Sequence, residues 1–287
     1  MRFFYRLLLR SHIAALLLLP AVSALLAQQN PVSTESPTIL PAGKARAEVG
    51  FGEYFNQPFP LSGLDGTLTK LGAVRFGYSY GGNVELQFDG TLLDILHVKS
   101  RHDAFNTYLT TTNNVTADVG DFTLWTKFRL ISEYHFFSTV SIRFGVQLPN
   151  ASNESGLGID EFDFYSSFLL EKHIAGIRWV LNAGLGILGD PATLSEQHDT
   201  FIYAVGGYIP IGDNSTFILE AAGRTGHHGI GVYRLSNAKF GGMTMAAGLS
   251  WKVLGVMSFA PSDNSKGVEL VIGHNFTLIE EHAKNEY

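Results

Sequence analysis

The chain has 287 residues, of which 45% are hydrophobic and 16% charged, so it can fill a large folded domain and is not a disordered chain. Its formal net charge of -6 and its scattered Lys and Arg residues provide no basic surface, which excludes nucleic acid as a partner. The absence of cysteine excludes disulfide bonds, zinc-thiolate sites and thiol catalysis.

The first predicted element is a signal peptide over residues 1–27. Arginines at positions 2, 6 and 10 precede the apolar run Ile13–Leu19, and small residues follow Pro20. This order is typical of a secretory signal, with cleavage after Ala24 or Ala27. An uncleaved membrane anchor is the alternative, but the apolar run is shorter than the roughly 20 residues that span a bilayer.

Residues 28–42 contain three prolines among Ser, Thr and Gln, which predicts a flexible segment. This segment lies in the periplasm or enters the interior of the following domain as a plug, and the sequence leaves both open.

From residue 43 to residue 279 apolar and polar residues alternate with a period of two, which indicates β-strands. Val140, Ile142, Phe144 and Val146, for example, alternate with Ser141, Arg143 and Gln147. We predict twelve strands, most of them long enough to cross a bilayer at a tilt. They cover residues 43–54, 70–80, 83–98, 119–131, 135–148, 160–173, 177–188, 200–210, 215–226, 239–252, 254–260 and 267–279.

The predicted connections alternate between long and short, from the long 55–69 to the short Gly81-Gly82 and onward to a tight turn at Val253. Long loops at one end and tight turns at the other are typical of an outer-membrane barrel with short periplasmic turns. Aromatic residues at the strand ends suit two interfacial belts. The sequence therefore predicts an all-β protein, a transmembrane antiparallel up-and-down β-barrel of about 12 strands in the bacterial outer membrane.

Strand parity places one set of charged side chains on the face opposite the apolar residues, which predicts a polar lumen. Four of them, Arg75, Arg129, Arg143 and Glu161, are expected to form a ring. For any single residue, a role in a salt-bridge network that stiffens the wall is the alternative to lining a passage. The candidate lumen-lining residues are Arg75, Glu85, Asp89, Asp121, Lys127, Arg129, Arg143, Glu161, Asp163, Arg178, Glu220, Arg224 and Glu269.

Near the end of the last strand, Gly273, Phe276 and Leu278 are similar to the closing signal that the barrel-assembly machinery recognises. The predicted partners are therefore this machinery and outer-membrane lipid, together with a small hydrophobic solute; the oligomeric state is left open. A polar tail, residues 280–287, follows the barrel.

Two motifs that are typical of enzymes lack the context that their chemistry needs. Gly77-Tyr78-Ser79-Tyr80-Gly81 matches the nucleophile elbow of hydrolases, but another strand follows instead of a helix. The glycines of Gly184–Gly189 match a dinucleotide-binding pattern, but too few residues follow for a crossover helix. We therefore predict no catalytic residues, no cofactor and no metal.

Three segments carry a family resemblance: Gly120–Leu130, Arg143–Pro149, and Asn182–Gly186 with Gly189-Asp190-Pro191, extended by Tyr208–Gly212. They resemble the outer-membrane barrels labelled as putative transporters of the meta-cleavage pathway of phenol degradation. The resemblance covers residues 70 to 278 and implies a barrel that admits hydrophobic aromatic compounds. No binding residues carry over from it.

These observations rank three functions. The first is a channel or transporter that passes a small hydrophobic or aromatic solute through a narrow polar lumen. The second is a structural or surface-interaction barrel that acts through its outer loops, notably residues 99–118. The third, an outer-membrane lipid hydrolase, is disfavoured because no histidine stands two residues before a serine; Ser79 and His198 are its only candidates.

Overall fold

The computed structural model describes residues 33–105, 107–132, 138–190, 197–226, 235–261 and 263–279. The predicted signal peptide, residues 1–27, and the predicted tail, residues 280–287, lie outside the described residues. Within the described ranges no helix is long and apolar enough to cross a membrane.

The described residues form one antiparallel sheet in which almost every strand pairs with its neighbours along the chain. The strands are β1 (Lys44–Phe59), β2 (Leu64–Tyr80), β3 (Val84–Arg101), β4 (Val115–Asp118), β5 (Phe122–Ile131), β6 (Thr139–Leu148), β7 (Asp163–Ile174), β8 (Ile177–Gly189), β9 (Gln197–Ile211), β10 (Ser215–Gly226), β11 (Leu235–Ala246), β12 (Leu249–Ser258) and β13 (Lys266–Thr277).

The sheet closes on itself because β1 pairs with β2 on one side and with β13 on the other. Strand β3 pairs with β4 through Asp94–His97 and with β5 through Val84–Asp89. Since β4 and β5 pair with different halves of the same strand, together they occupy one strand position in the barrel wall. The described wall is therefore a closed barrel with twelve strand positions, which confirms the predicted fold class.

The two faces of the wall have opposite chemistry. Phe144 and Leu181 are about half exposed on the outside, at 47% and 48%, whereas Arg143, next to Phe144 in β6, is only 5% exposed. Neighbouring residues of a strand point to opposite faces, so the apolar set looks outward and the charged set inward. An apolar outer band around a polar interior is the arrangement of a barrel that sits in lipid. The predicted parity is confirmed.

Tight turns join the strands at the periplasmic end, where β1 begins. Two of them, Ala175-Gly176 and Ala247-Gly248, have positive φ at both residues, 52° and 77° in the first and 53° and 76° in the second. Positive φ at both central residues matches the twist of a two-residue hairpin. The turn predicted at Val253 is wrong, because Val253 lies within β12 and pairs with Gly242 and Leu270.

Two predicted extracellular loops are also partly wrong. Residues 55–69 form the upper parts of β1 and β2, with Gln57 paired to Gly66, and only residues 60–63 connect the two strands. Of residues 99–118, the first three belong to β3 and the last four form β4. The part of the wall formed by β1 to β3 therefore extends further at the extracellular end than the part formed by β5 to β8, and we call it the high wall.

The extracellular end of the high wall is covered by residues 149–159. Ala151 and Leu157 pack with Tyr54, Leu64 and Leu96 in one buried apolar cluster. Asp121 accepts hydrogen bonds from the backbone N–H groups of Asn150 and Ala151, at 2.9 and 2.8 Å. This loop is thus folded onto the barrel instead of extending into solvent.

Candidate functional site

Residues 33–42, which lie shortly before β1, cross the inside of the barrel, and we call them the plug. At one end Leu40 N–H donates to Glu85 of β3, and at the other Thr34 contacts Tyr208 of β9 and Glu220 of β10. Between them Ser141 of β6 donates to the carbonyl oxygen of Pro37 at 2.6 Å. The plug therefore reaches from one wall to the opposite wall.

The backbone of the plug is fixed at Glu35 by Asn182 of β8. The Glu35 N–H donates to Asn182 Oδ1 at 2.7 Å, and Asn182 Nδ2 donates to the Glu35 carbonyl at 2.8 Å. Ser36 and Thr38 donate their hydroxyl hydrogens to Glu171 of β7. Both backbone groups of Glu35 and two plug hydroxyls are satisfied by the wall, as buried polar groups require.

The carboxylate of Glu35 lies among three cations of the wall. Its oxygens are 2.8 Å from Lys127 Nζ, 3.3 Å from Arg75 NH1 and 3.7 Å from Arg143 NH1. Gln87 Nε2 donates to the same carboxylate at 2.7 Å. Burial by itself raises the pKa of the Glu35 carboxyl, but Lys127, Arg75 and Arg143 together hold it well below its usual range. Glu35 is therefore a buried carboxylate whose negative charge is stabilised by the three cations of the wall.

An aromatic surface adjoins this ion cluster. The guanidinium carbon of Arg143 lies 3.9 Å from the centroid of the Trp125 ring, and Trp125 stacks on Tyr165 with centroids 5.7 Å apart. Leu188 and Ile202 complete a buried cluster with these two rings. Trp125 Nε1 donates to Asp89 at 2.9 Å, which ties the aromatic surface to the ion cluster.

Trp125 can lie against the wall because its partner across the strand pair is Gly145. A Cβ added to Gly145 would overlap the indole ring of Trp125. We expect Gly145→Val to lower the free energy of unfolding by about 1–3 kcal/mol, the usual cost of overpacking. Urea unfolding in lipid vesicles measures this change. Ala183→Val, on the outer face of β8, is the control, and an equal loss in both variants would contradict the stated contact.

Five of the candidate lumen-lining residues are brought together in the ion cluster around Glu35 of the plug. Arg75, Lys127 and Arg143 contact Glu35, while Glu85 lies 3.2 Å from Lys127 and Asp89 lies 3.6 Å from Arg75. Their side chains point inward from β2, β3, β5 and β6, four neighbouring strands of the wall.

The remaining candidates lie elsewhere on the inner face or at the rims. At the extracellular end, Asp163 accepts the Gly189 N–H at 3.0 Å and the Tyr165 hydroxyl at 2.8 Å. Glu269 pairs with Lys239 at 2.8 Å on the opposite wall, and Arg178 pairs with Glu171 at 3.0 Å. Glu220 holds Thr34 and Tyr208, and Arg224 is buried on β10.

The predicted ring of Arg75, Arg129, Arg143 and Glu161 is wrong. Arg129 lies at the periplasmic rim, where it donates to Asn83 in the turn between β2 and β3. Glu161 precedes β7 at the extracellular end, beside Gly189. Only Arg75 and Arg143 share a height in the barrel, because parity fixes the face of a residue but not its height.

Comparison with solved structures shows which known barrels share this fold. The chain is similar to an outer membrane channel from Pseudomonas putida F1, with a TM-score of 0.60 and 15% identity over 83% of this chain and 97% of that one. At this identity the likeness concerns the fold. The fold is that of an outer-membrane β-barrel.

Two further structures are more distant. The translocator domain of an autotransporter from Neisseria meningitidis has a TM-score of 0.44 and 11% identity over 80% of this chain and 87% of that one. The CymD monoaromatic hydrocarbon channel has a TM-score of 0.43 and 9% identity, over 85% and 90%. These two likenesses are too weak to bear on function. No family model and no curated protein matches the chain.

Asp121, at the extracellular rim of the barrel, is an acidic side chain whose protonation we expect to affect stability. Burial raises the pKa of the Asp121 carboxyl to about 7, although hydrogen bonds from Ala151 and Asn150 oppose the rise. Between about pH 4 and about pH 7 the folded barrel keeps a proton that the unfolded chain has lost. The free energy of unfolding should therefore decrease as the pH rises through this window.

Asp121→Asn removes the titrating group and should flatten this pH dependence. Urea unfolding at about pH 5 and about pH 8 tests the expectation. Asp103→Asn, which changes an exposed carboxylate of the same extracellular end, should leave the slope as it is. A slope that is unchanged in Asp121→Asn would contradict the assignment.

Among the site residues that the sequence analysis did not predict are Glu35, Trp125 and Asn182. Glu35 is the one charged residue between positions 28 and 43, and that isolation was the available signal. Trp125 shares the parity of Lys127, which already placed it inside. Asn182 alternates with apolar residues of β8, yet nothing in the sequence indicated that it would bind the plug backbone.

The two candidates for hydrolase chemistry are separated by the fold. Ser79 lies at the periplasmic end of β2, just before the hairpin at Gly81-Gly82, and is fully buried. His198 lies at the extracellular end of β9 and pairs with Asp190 at 3.3 Å. The two side chains are therefore at opposite ends of the barrel and cannot share one reaction.

Proposed function

We propose that this protein is an outer-membrane channel that admits small apolar or aromatic solutes, and that the plug closes its lumen at rest. The observation that carries the proposal is the composition of the interior. The plug is held by hydrogen bonds and ion pairs to a polar wall, from Thr34 at Glu220 to Leu40 at Glu85. Such contacts can be exchanged for contacts with water or solute, which a closely packed apolar core does not allow.

The aromatic surface supports the choice of solute. Trp125, Tyr165, Leu188 and Ile202 form an apolar patch on the inner face, where a polar wall was expected. Aromatic rings attract other rings in stacked or edge-to-face arrangements. The resemblance of the sequence to barrels labelled for phenol degradation points to the same class of solute.

Vesicle uptake and single-channel recording test the channel. We expect vesicles that contain the protein to take up phenol faster than protein-free vesicles. In planar bilayers, a variant that lacks residues 33–42 should conduct several-fold more than the protein that retains them. Equal uptake with and without the protein, together with no conductance from either chain, would contradict the proposal.

A second function, surface interaction through the outer loops, is favoured by one observation. Phe105 and Tyr108 lie in the extracellular connection between β3 and β4, and their side chains are 45% and 76% exposed. Exposed aromatic side chains are common at protein interfaces. If Tyr108→Ser abolished a cellular phenotype while solute uptake stayed unchanged, the surface function would be the better account.

A further inference from the structure

The ion cluster around Glu35 is electrically balanced only while the plug is present. The wall contributes three cations, Arg75, Lys127 and Arg143, all of which pair with Glu35. It also contributes two carboxylates: Glu85 pairs with Lys127, and Asp89 pairs with Arg75. Glu35 is the third carboxylate of the cluster. When the plug moves away, the wall of this cluster therefore retains one excess positive charge.

This excess charge lies in a buried place. Lys127 is 1% exposed and Arg143 is 5% exposed while the plug is in position. A buried charge without a partner is strongly unfavourable, so an anion that replaces Glu35 would gain much of the lost stabilisation. A carboxylate has the geometry that a guanidinium and an ammonium bind.

The wall also has a spare hydrogen-bond donor at this point. The buried Nε of Arg143 has no hydrogen-bond partner within the part of the chain that the structure describes. Through NH1, the same guanidinium lies 3.7 Å from Glu35, and its face covers the ring of Trp125 at 3.9 Å. One arginine thus joins the carboxylate position to the aromatic surface.

We infer that the lumen has a binding site for small aromatic carboxylates, and that Glu35 occupies the carboxylate position of this site when the channel is closed. The carboxylate of the solute would bind Lys127, Arg75 and Arg143, and its ring would pack beside Trp125 and Tyr165. The inference rests on the proposed function and narrows it to one class of solute. Glu35 is then an internal competitor of the solute.

Chemical rescue of Glu35→Ala by benzoate tests this site. The variant removes the plug carboxylate and leaves space for another, so its thermal unfolding midpoint should fall and should recover when benzoate is added. A titration followed by tryptophan fluorescence should show benzoate binding at least about tenfold tighter than to the wild type. Glu154→Ala, which removes an exposed loop carboxylate, should behave as the wild type does.

Two comparison ligands define the site chemically. Acetate has the carboxylate without the ring, and benzyl alcohol has the ring without the charge; both should bind Glu35→Ala more weakly than benzoate. Equal binding of acetate would overturn the aromatic part of the inference, and equal binding of benzyl alcohol would overturn the carboxylate part. Arg143→Gln in the Glu35→Ala background should abolish benzoate binding.

If Glu35→Ala does not fold, Glu35→Gln provides the second variant. It preserves the size of the side chain and removes the charge, and it too should bind benzoate more tightly than the wild type. Unchanged affinity in the folded variant would overturn the inference. Phenol uptake by vesicles that contain the wild type is measured in parallel. Phenol uptake without benzoate binding would rule out only the carboxylate site. Absence of phenol uptake would rule out the proposed channel function.

Discussion

Lys127→Met should lower the free energy of unfolding of the barrel by about 3–5 kcal/mol, the usual effect of removing one partner from a buried ion pair. Lys127 Nζ lies 2.8 Å from Glu35 and 3.2 Å from Glu85, and it also donates to the carbonyl oxygens of Ser36 and Thr38. Without it, two buried carboxylates lose a cation and the plug loses two backbone contacts. Urea unfolding of the protein in lipid vesicles measures the loss.

A double variant separates the plug from the wall. Glu35→Gln added to Lys127→Met should recover part of the stability, because one of the two unpaired carboxylates is then neutral. Lys266→Met, which changes an exposed lysine at the extracellular end of β13, should cost little. A loss in Lys127→Met no larger than in Lys266→Met would mean that the buried cluster is not formed.

Phe144→Arg should lower the free energy of unfolding by about 2–4 kcal/mol, as arginine does on the lipid face of a barrel near the bilayer midplane. Phe144 is in the middle of β6 and is 47% exposed on the outer face. The adjacent Arg143 is buried on the inner face, where carboxylates stabilise its charge. An arginine at position 144 would instead place its charge in lipid, where no partner is available. Urea unfolding of the protein in lipid vesicles again measures the free energy of unfolding.

Phe144→Leu is the control for this second experiment, because leucine also prefers lipid and should cost much less than arginine. If Phe144→Arg were as stable as Phe144→Leu, the outer face of β6 would be in contact with water. The apolar outer band would then not be the face that contacts lipid.

The sequence predicted the wall well because a period of two determines which face each residue occupies. Arg143, Lys127 and Asp89 were placed inside by parity alone, and all three are inside. Parity does not report the stagger between strands, so it could not show that Arg129 and Glu161 lie at opposite rims. The predicted ring combined residues that share a face but differ in height.

Two boundary errors have local causes. Residues 239–252 alternate through Ala247-Gly248 without any polar turn residue, which hid the hairpin between β11 and β12. Residues 55–69 contain Pro58, Pro60 and Gly63, which are typical of loops, yet Pro58 pairs with Asp65 in an extended hairpin. In both segments the pairing with neighbouring strands outweighed the local preference.

The plug lay beyond what periodicity can show. Residues 33–42 make no strand, and their place in the lumen depends on contacts with β3, β5, β6, β7, β8, β9 and β10. Such contacts between distant parts of the chain leave no repeating pattern in the sequence. Only the isolated carboxylate of Glu35 pointed to a partner.

A reversible cross-link between the plug and the wall tests the central claim most directly, and the chain has no native cysteine to interfere. A Cβ added at Gly206 would lie 3.0 and 3.1 Å from the side-chain Cγ2 and Oγ1 of Thr34, close to the Cβ-to-sulfur distance of about 3 Å across a disulfide. Thr34→Cys with Gly206→Cys can therefore lock the plug to β9.

Phenol uptake into vesicles is then compared between the oxidised and the reduced protein, with Thr34→Cys alone as the control. We predict that oxidation of the double variant slows phenol uptake to the rate of protein-free vesicles and that reduction restores the faster uptake. Uptake by the single variant should be the same after either treatment. Equal uptake by the locked and the reduced protein would show that solute passes without movement of the plug, and would contradict the claim that residues 33–42 close the lumen.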